Sequence, residues 1–527
     1  MTKTNAKHTV VLYTWHSKKN VALIKPLIEH LTDSCGFLCH VVTSDATGKL
    51  NLLQSSDNAY TVNEILLSYA SGDSEPPSAE ATGMDHPLDL HLDWLSTPRD
   101  PVLLQHPKRE STTDYYGWKR QQLVSAYSGF LQDVNADSVL TWNGALLVTG
   151  ALAESADLLG IRTFYLERGL LPSSLVIDPD GVNNDSSIAG ADWKRNATSK
   201  PSFEEIEALQ SYFSLLGSSD ASIVNTGQKK NREAVLAQLG LSPEKPVILL
   251  PLQIESDSNI QNNSPYFKSM EELIRSVTSV LGGTGAQLVV KPHPEDRSRR
   301  NRIEALCSAS DVRCCWDLSL QSLLPVTDLV VVINSTVGLE ALLQNKPVVA
   351  LGQSIYDRKG FTLDLDNKTS LDALIHRALD ALWQPHDNPD FWWFLKTLIS
   401  NHTFFYDEQL GLTDVKPRLC ETLLGTNAKP ALPMTGKMQE LISTNEILSQ
   451  LMRGEFTGRV LVIGPLETIM EDIPDQITIL NRAARPLTFL SALTHQYELM
   501  ICMEWPSNPL LRAFFSLLQA KKKVILG

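Results

Sequence analysis

"LVVVINSTVGLEALLQNKPVVALG", residues 329–352, decides how the chain is read. Leu329 to Ile333 form an unbroken apolar run, the mark of a strand covered on both faces. Asn334, Ser335 and Thr336 interrupt it, a helical pattern follows through Glu340, and the Lys346-Pro347 turn opens a second apolar run to Leu351. Strand, helix and strand in this order make a βαβ unit, whose strands pair in parallel. Its chemistry lies at the carboxyl edge of the first strand, where open α/β sheets bind their ligands.

The same pattern extends outward. Apolar runs at Val247 to Leu252, Leu288 to Val290 and Val312 to Trp316 alternate with helical segments and complete one series. An earlier series holds Thr9 to Tyr13, Phe37 to Val42, Ser138 to Trp142, Arg162 to Glu167 and Ala221 to Asn225, with a helix from about Asp114 and a polar surface excursion over 71–101. Alternation of this kind predicts an α/β fold of two Rossmann-like domains with a cleft between them and a smaller C-terminal α/β unit. The expected divisions are 1–240, 241–405, a linker at 406–435, and an incomplete Rossmann-like unit at 436–527 with strands at Arg459 to Ile463, Ile477 to Leu480, Glu498 to Met503 and Lys523 to Leu526. The aromatic stretch over 384–406 reads as a core helix.

A chain of 527 residues is too long for one core, and 43% apolar residues are globular rather than disordered. The formal charge of −14 argues against nucleic acid as a partner, because a phosphate backbone needs clustered cations. Seven cysteines without a paired C-x-x-C fit reduced thiols in a cytoplasmic protein and offer no zinc site. No apolar run approaches a spanning helix, so docking at the inner membrane would be peripheral. Metal and cofactor are not expected.

Four motifs carry the candidate chemistry. Asn334, Ser335 and Thr336 can cap a helix start and can equally meet a phosphate, while Glu340 can accept from ribose hydroxyls or simply face solvent. In "KPHP", Lys291 and His293 sit between the rigid residues Pro292 and Pro294, a cation and a donor suited to a departing phosphate. Their strand is expected to neighbour the one that ends at Asn334. "PLQIESDSN" brings Gln253, Glu255, Asp257 and Asn259 off the end of another strand. Asn143 and Gly144 in "TWNG" mark a strand-to-helix turn, as Glu167 and Arg168 in "LERG" and Asp178 in "IDPDGVN" mark further strand ends.

In this order, "TWNG", "LERGLLP", "IDPDGVN", "PLQIESDSN", "KPHP" and "NSTVGLEAL" with "KPVVALG" resemble the retaining β-Kdo transferases of bacterial capsule and lipopolysaccharide O-antigen assembly, over about 138–360. The resemblance implies a GT-B-like pair of Rossmann domains, CMP-Kdo as the nucleotide-sugar donor and double displacement through a covalent intermediate. It implies Asp257 as nucleophile, Glu167 as acid/base, His293 and Asn334 to Thr336 at the phosphate, and Glu340 at the ribose. Glu255 and Asp178 are the alternative acids, and Arg168 and Lys194 the candidates for the Kdo carboxylate. The acceptor would be a lipid-linked oligo- or polysaccharide, with neighbouring transferase domains or export machinery as further partners. The same motifs also suit another CMP-linked acid sugar, a CDP-polyol phosphate, or a non-catalytic glycan-binding scaffold.

Overall fold

The computed structural model describes residues 7–15, 18–53, 58–70, 109–171, 174–218, 232–310, 312–379 and 383–405, single residues 423 and 445, and four strands between 460 and 525. The expected strand at Ala221 to Asn225 and the excursion over 71–101 lie outside these residues. The chain forms two compact units, Met1–Tyr165 with Lys416–Gly527, and Leu166–Val415. The boundary expected near residue 240 therefore falls inside the second unit.

In the first unit, β1 (Thr9–Thr14), β2 (Leu38–Thr43), β3 (Ala59–Thr61) and β4 (Ser138–Trp142) run parallel in the order β4-β1-β2-β3. Every residue of β1 and β4 is buried, as a strand covered on both faces requires. Thr61 caps the helix Val62–Tyr69 in a reciprocal capping box with Glu64. The other Glu64 oxygen meets the buried Lys49 ammonium at 2.5 Å. Cys35 is disulfide-bonded, against the expectation of reduced thiols throughout, whereas Cys39, Cys307, Cys314 and Cys315 are free.

The chain passes from the first unit to the second within β5 (Arg162–Arg168), and β6 (Ser174–Asp178) follows. The second unit holds a six-stranded sheet made of β7 (Val247–Pro251), β8 (Gln287–Lys291), β9 (Arg313–Cys314), β10 (Leu329–Val332), β11 (Val348–Ala350) and β12 (Leu363–Asp364), in the order β12-β11-β10-β7-β8-β9. All of its pairings are parallel. Ile248, Leu250, Leu288, Val290, Leu329 and Val331 enter the core on one face, and Val247, Leu249, Val289, Val330 and Val332 enter the core on the other. Each buried Val or Leu contributes about 1.5–3 kcal/mol, so neither face tolerates a polar residue. The strand β8 does not neighbour β10, as the sequence suggested; β7 lies between them.

The aromatic stretch forms the helix Pro389–Thr397, continued by a wider π-helical turn, Leu398–His402. Phe391, Trp392, Phe394 and Leu395 pack into the core with Val330 and Val332. β13 (Thr403–Phe405) then pairs antiparallel with β6. Near the C-terminus, β14 (Val460–Ile463), β15 (Ile477–Leu480), β16 (Tyr497–Cys502) and β17 (Ala520–Ile525) form a parallel sheet in the order β15-β14-β16-β17.

Candidate active site

The exits of β7, β8 and β10 converge because the three strands are adjacent and parallel. The central strand supplies the connection. Leu252 donates its amide to the Lys291 carbonyl at 2.9 Å, which ties the β7 exit to β8. On the other flank, Gln253 Nε2 donates to Asn334 Oδ1 at 2.9 Å, and the Asn334 amide donates back to Gln253 Oε1 at 3.3 Å. Asn334 Nδ2 also donates to the carbonyls of Asn259 and Asn263, at 3.0 and 3.2 Å. Gln253 and Asn334 thus serve to order loops, and their amide groups are occupied.

The two acids of the β7 loop differ in environment. Glu255 Oε1 accepts the Met270 amide at 2.7 Å and meets Arg299 Nη1 at 2.5 Å. Asp257 is exposed and caps the short helix Ser258–Asn263, with Oδ1 accepting the Asn259 amide at 2.8 Å. Its Oδ2 has no hydrogen-bond partner among the described residues.

After β8, the buried Lys291 donates Nζ to the Trp316 carbonyl at 2.7 Å, and burial holds its pKa below the ordinary lysine value. His293 is half-buried, as is Pro294. The Glu295 amide donates to His293 Nδ1 at 3.3 Å. In a neutral imidazole, a ring nitrogen that accepts leaves the proton on the other, which makes Nε2 the donor.

After β10, Ser335 Oγ accepts the Val337 amide at 3.3 Å, and Thr336 is exposed. The buried Tyr356 donates its hydroxyl to the Ser335 carbonyl at 2.5 Å and fixes this loop from behind. The helix that follows, Val337–Leu343, is only seven residues long. The Glu340 carboxyl group on that helix makes no hydrogen bond or ion pair among the described residues, and burial pushes it up to about 7.

The remaining candidates lie on other elements of the chain. Asn143 and Gly144 belong to the first unit, where both adopt left-handed backbone, φ 39° and 69°. Asn143 Oδ1 accepts the Ala145 amide at 3.0 Å, and a Cβ on Gly144 would lie 2.6 Å from the Tyr165 ring. That is turn chemistry. Glu167 is half-buried and its Oε1 accepts the Arg168 amide at 2.9 Å; Arg168 itself is exposed. Both residues belong to the same unit as Asp257 rather than to the first, as does Asp178. Lys194 pairs with Asp390 at 2.5 Å.

Asp178 is fully buried and surrounded by donors. Its Oδ2 accepts the hydroxyls of Ser186 and Ser187, at 2.7 and 2.9 Å, and its Oδ1 accepts the amides of Asp180 and Gly181, at 2.9 and 3.3 Å. The Ser187 amide reaches both oxygens at 3.0 Å, and His402 Nδ1 lies 2.9 Å from Oδ2. Burial works to raise the Asp178 pKa, but His402 and the other donors outweigh it and hold the carboxyl below the usual range. A carboxylate so occupied organises a loop and has no lone pair to offer a substrate.

Sequence reasoning missed Tyr356, Arg299 and His402, each of which has a partner distant in the chain. Only the aromatic run around 400 could have pointed to His402. Among the described residues, no group of three or more His, Cys, Asp or Glu could hold a metal ion, and no helix is long and apolar enough to cross a membrane.

Residues 199–382 match the family model of the capsule polysaccharide biosynthesis proteins. The chain is 28% identical to Protein FixF of Sinorhizobium fredii over 297 residues, 56% of this chain and 62% of that one. It is 30% identical to the capsule polysaccharide export protein KpsS of Escherichia coli over 178 residues, 32% of this chain and 42% of that one. The chain thus spans less than two thirds of the length of these curated relatives. Among solved structures, KpsC β Kdo 2,7 transferase of Thermosulfurimonas dismutans aligns with a TM-score of 0.32 and 23% identity, covering 51% of this chain and 89% of that one. The resemblance to capsule polysaccharide biosynthesis proteins read from the motifs is thereby borne out.

Proposed function

We propose that this chain is a retaining glycosyltransferase that moves β-Kdo from CMP-Kdo to a growing bacterial surface polysaccharide, with Asp257 as the covalent carrier. One observation carries the reading. Of the two acids at the β7 exit, Glu255 is half-buried and ion-paired with Arg299, whereas Asp257 is exposed and meets no cation among the described residues. The match of residues 199–382 to capsule polysaccharide biosynthesis proteins supports the substrate class.

In the first step an Asp257 oxygen attacks the anomeric carbon, that carbon's bond to the phosphate oxygen breaks, and the electron pair leaves with CMP. His293 Nε2–H would meet the departing phosphate, and a phosphate monoester leaves without a strong acid. Glu340 would accept from the ribose hydroxyls. In the second step the acceptor hydroxyl attacks the same carbon from the vacated face, Glu167 takes its proton, and the Asp257 carboxylate is released. Two inversions give retention, as in glycosidases that work through a carboxylate nucleophile. No metal or cofactor enters this scheme. The transferase would work on the cytoplasmic side, peripheral to the inner membrane, on a lipid-linked acceptor.

The test is intact-protein and peptide mass spectrometry after exposure to CMP-Kdo without acceptor. A Kdo-sized increment on the peptide that holds Asp257 is the expected result. No increment and no CMP release would overturn the reading, and release from CMP-sialic acid or CDP-glycerol alone would replace the donor.

A further inference from the structure

We propose that Arg299 is a positioning residue that sets the separation between the nucleophile loop after β7 and the phosphate-side loop after β8; the inference rests on the transferase reading above. Arg299 lies outside every motif and touches no substrate in the scheme. Its side chain, 23% exposed, divides a planar guanidinium between two carboxylates on different loops. Nη1 meets Glu255 Oε1 at 2.5 Å, while Nε donates to both Asp296 oxygens at 2.9 and 3.0 Å and Nη2 pairs with Asp296 Oδ2. Asp296 is buried, and its amide donates to the His293 carbonyl at 3.0 Å. Glu255 stands two residues before Asp257 and is itself held by the Met270 amide.

The connection therefore runs from the backbone of His293 through Asp296 and Arg299 to Glu255 and the loop of Asp257. A guanidinium can make these parallel and divergent contacts at once, because its five donors lie in one rigid plane. An ammonium can satisfy one carboxylate but not the geometry of both. The arrangement also removes Glu255 from competition as nucleophile by keeping it paired.

The test compares Arg299→Gln, Arg299→Lys, Glu255→Gln and the Arg299→Gln/Glu255→Gln double variant with the wild type. The readouts are the rate of adduct formation from CMP-Kdo, CMP affinity by calorimetry, and amide hydrogen exchange over residues 253–261 and 291–296. A misplaced nucleophile costs about 10²-fold, so Arg299→Gln should slow adduct formation by about that factor while CMP affinity changes by less than about 3-fold. Arg299→Lys should recover part of the rate, and the double variant should be no slower than the slower single one, since both break one connection. Additive losses, or a rate that falls only in step with CMP affinity, would reduce Arg299 to a general stabiliser and overturn the proposal. A wild type that forms no adduct overturns the transferase reading instead. The positioning claim is then decided by exchange alone: faster exchange in both loops of Arg299→Gln upholds it, and unchanged exchange overturns it.

Discussion

Gln253 and Asn334 exchange two hydrogen bonds across the exits of neighbouring strands, side chain to side chain at 2.9 Å and amide to side chain at 3.3 Å. Asn334 is the more demanding partner, because its Nδ2 also serves the carbonyls of Asn259 and Asn263. Asn334→Asp places an oxygen against those two carbonyl oxygens, and the unmade hydrogen bonds should cost about 2–4 kcal/mol. Gln253→Ala should cost about 1–2 kcal/mol, since its partner keeps other bonds. Thermal melts should rank the two in that order; equal losses would mean that Asn334 is not the junction of the loops.

Asp257→Asn should abolish transfer and adduct formation while leaving CMP affinity and the melting temperature close to wild type. The amide can still accept from the Asn259 backbone and cap the short helix, so the loop is retained. The increment in mass should vanish from the Asp257 peptide. Near-normal turnover would assign the nucleophile elsewhere.

Glu340 links stability to pH and, on the proposed reading, nucleotide binding as well. Its carboxyl, held up to about 7 by burial, carries a proton in the folded state at pH values where the unfolded chain has lost it. Stability from this group is therefore fully present below the ordinary glutamate pKa near 4.5 and is lost as pH rises through about 7. Glu340→Gln should raise stability by about 3 kcal/mol at pH 8 and leave it unchanged at pH 4. Calorimetry should show CMP binding to the wild type weakening as pH falls below 7, and the glutamine variant binding weakly with no such dependence. A wild-type affinity that is flat between pH 6 and 8 would remove Glu340 from the ribose site.

Gly338→Ala should damage the loop after β10. The added Cβ would sit 2.3 Å from the Tyr356 hydroxyl and 2.6 Å from its ring carbon. Tyr356 is buried and bonded to the Ser335 carbonyl, so it cannot yield without releasing Ser335. A loss of about 1–3 kcal/mol is expected from such overpacking, together with weaker CMP binding. Tyr356→Phe in the same background removes only the nearer atom and should restore part of each; no restoration would place the strain elsewhere.

Continuous apolar runs made most strands legible, because a strand covered on both faces leaves no choice of residue. Ser138–Trp142 and Ile477–Leu480 fall where the sequence put them, and β7, β8 and β10 fall within a residue. The short strands Ala59–Thr61, Leu363–Asp364 and Thr403–Phe405 did not announce themselves, since two or three residues carry no period. The turn after Ser174–Asp178 marks Asp178 as a strand-end acid, but nothing in the local sequence shows that it is fully buried. The adjacency of β7 to both β8 and β10 is a tertiary fact that no local pattern encodes. Residue types at the site were visible; their occupancy was not. Nothing near Glu255 in sequence reveals that Arg299 will claim it, or that Asp257 will be left open.

The antiparallel pairing of β6 with β13 has a consequence for synthesis. Thr403 faces Val176, so the first strand wholly inside the second unit and the last strand described there are partners although most of that unit separates them in translation order. A ribosome releases β6 long before its mate, and the six-stranded sheet can assemble in the interval. Asp178 must wait as well, because His402 arrives immediately ahead of β13. Until that last turn emerges, one side of β6 is an open edge and a buried acid lacks its imidazole, which makes the nascent unit most vulnerable to misassociation just before it is complete.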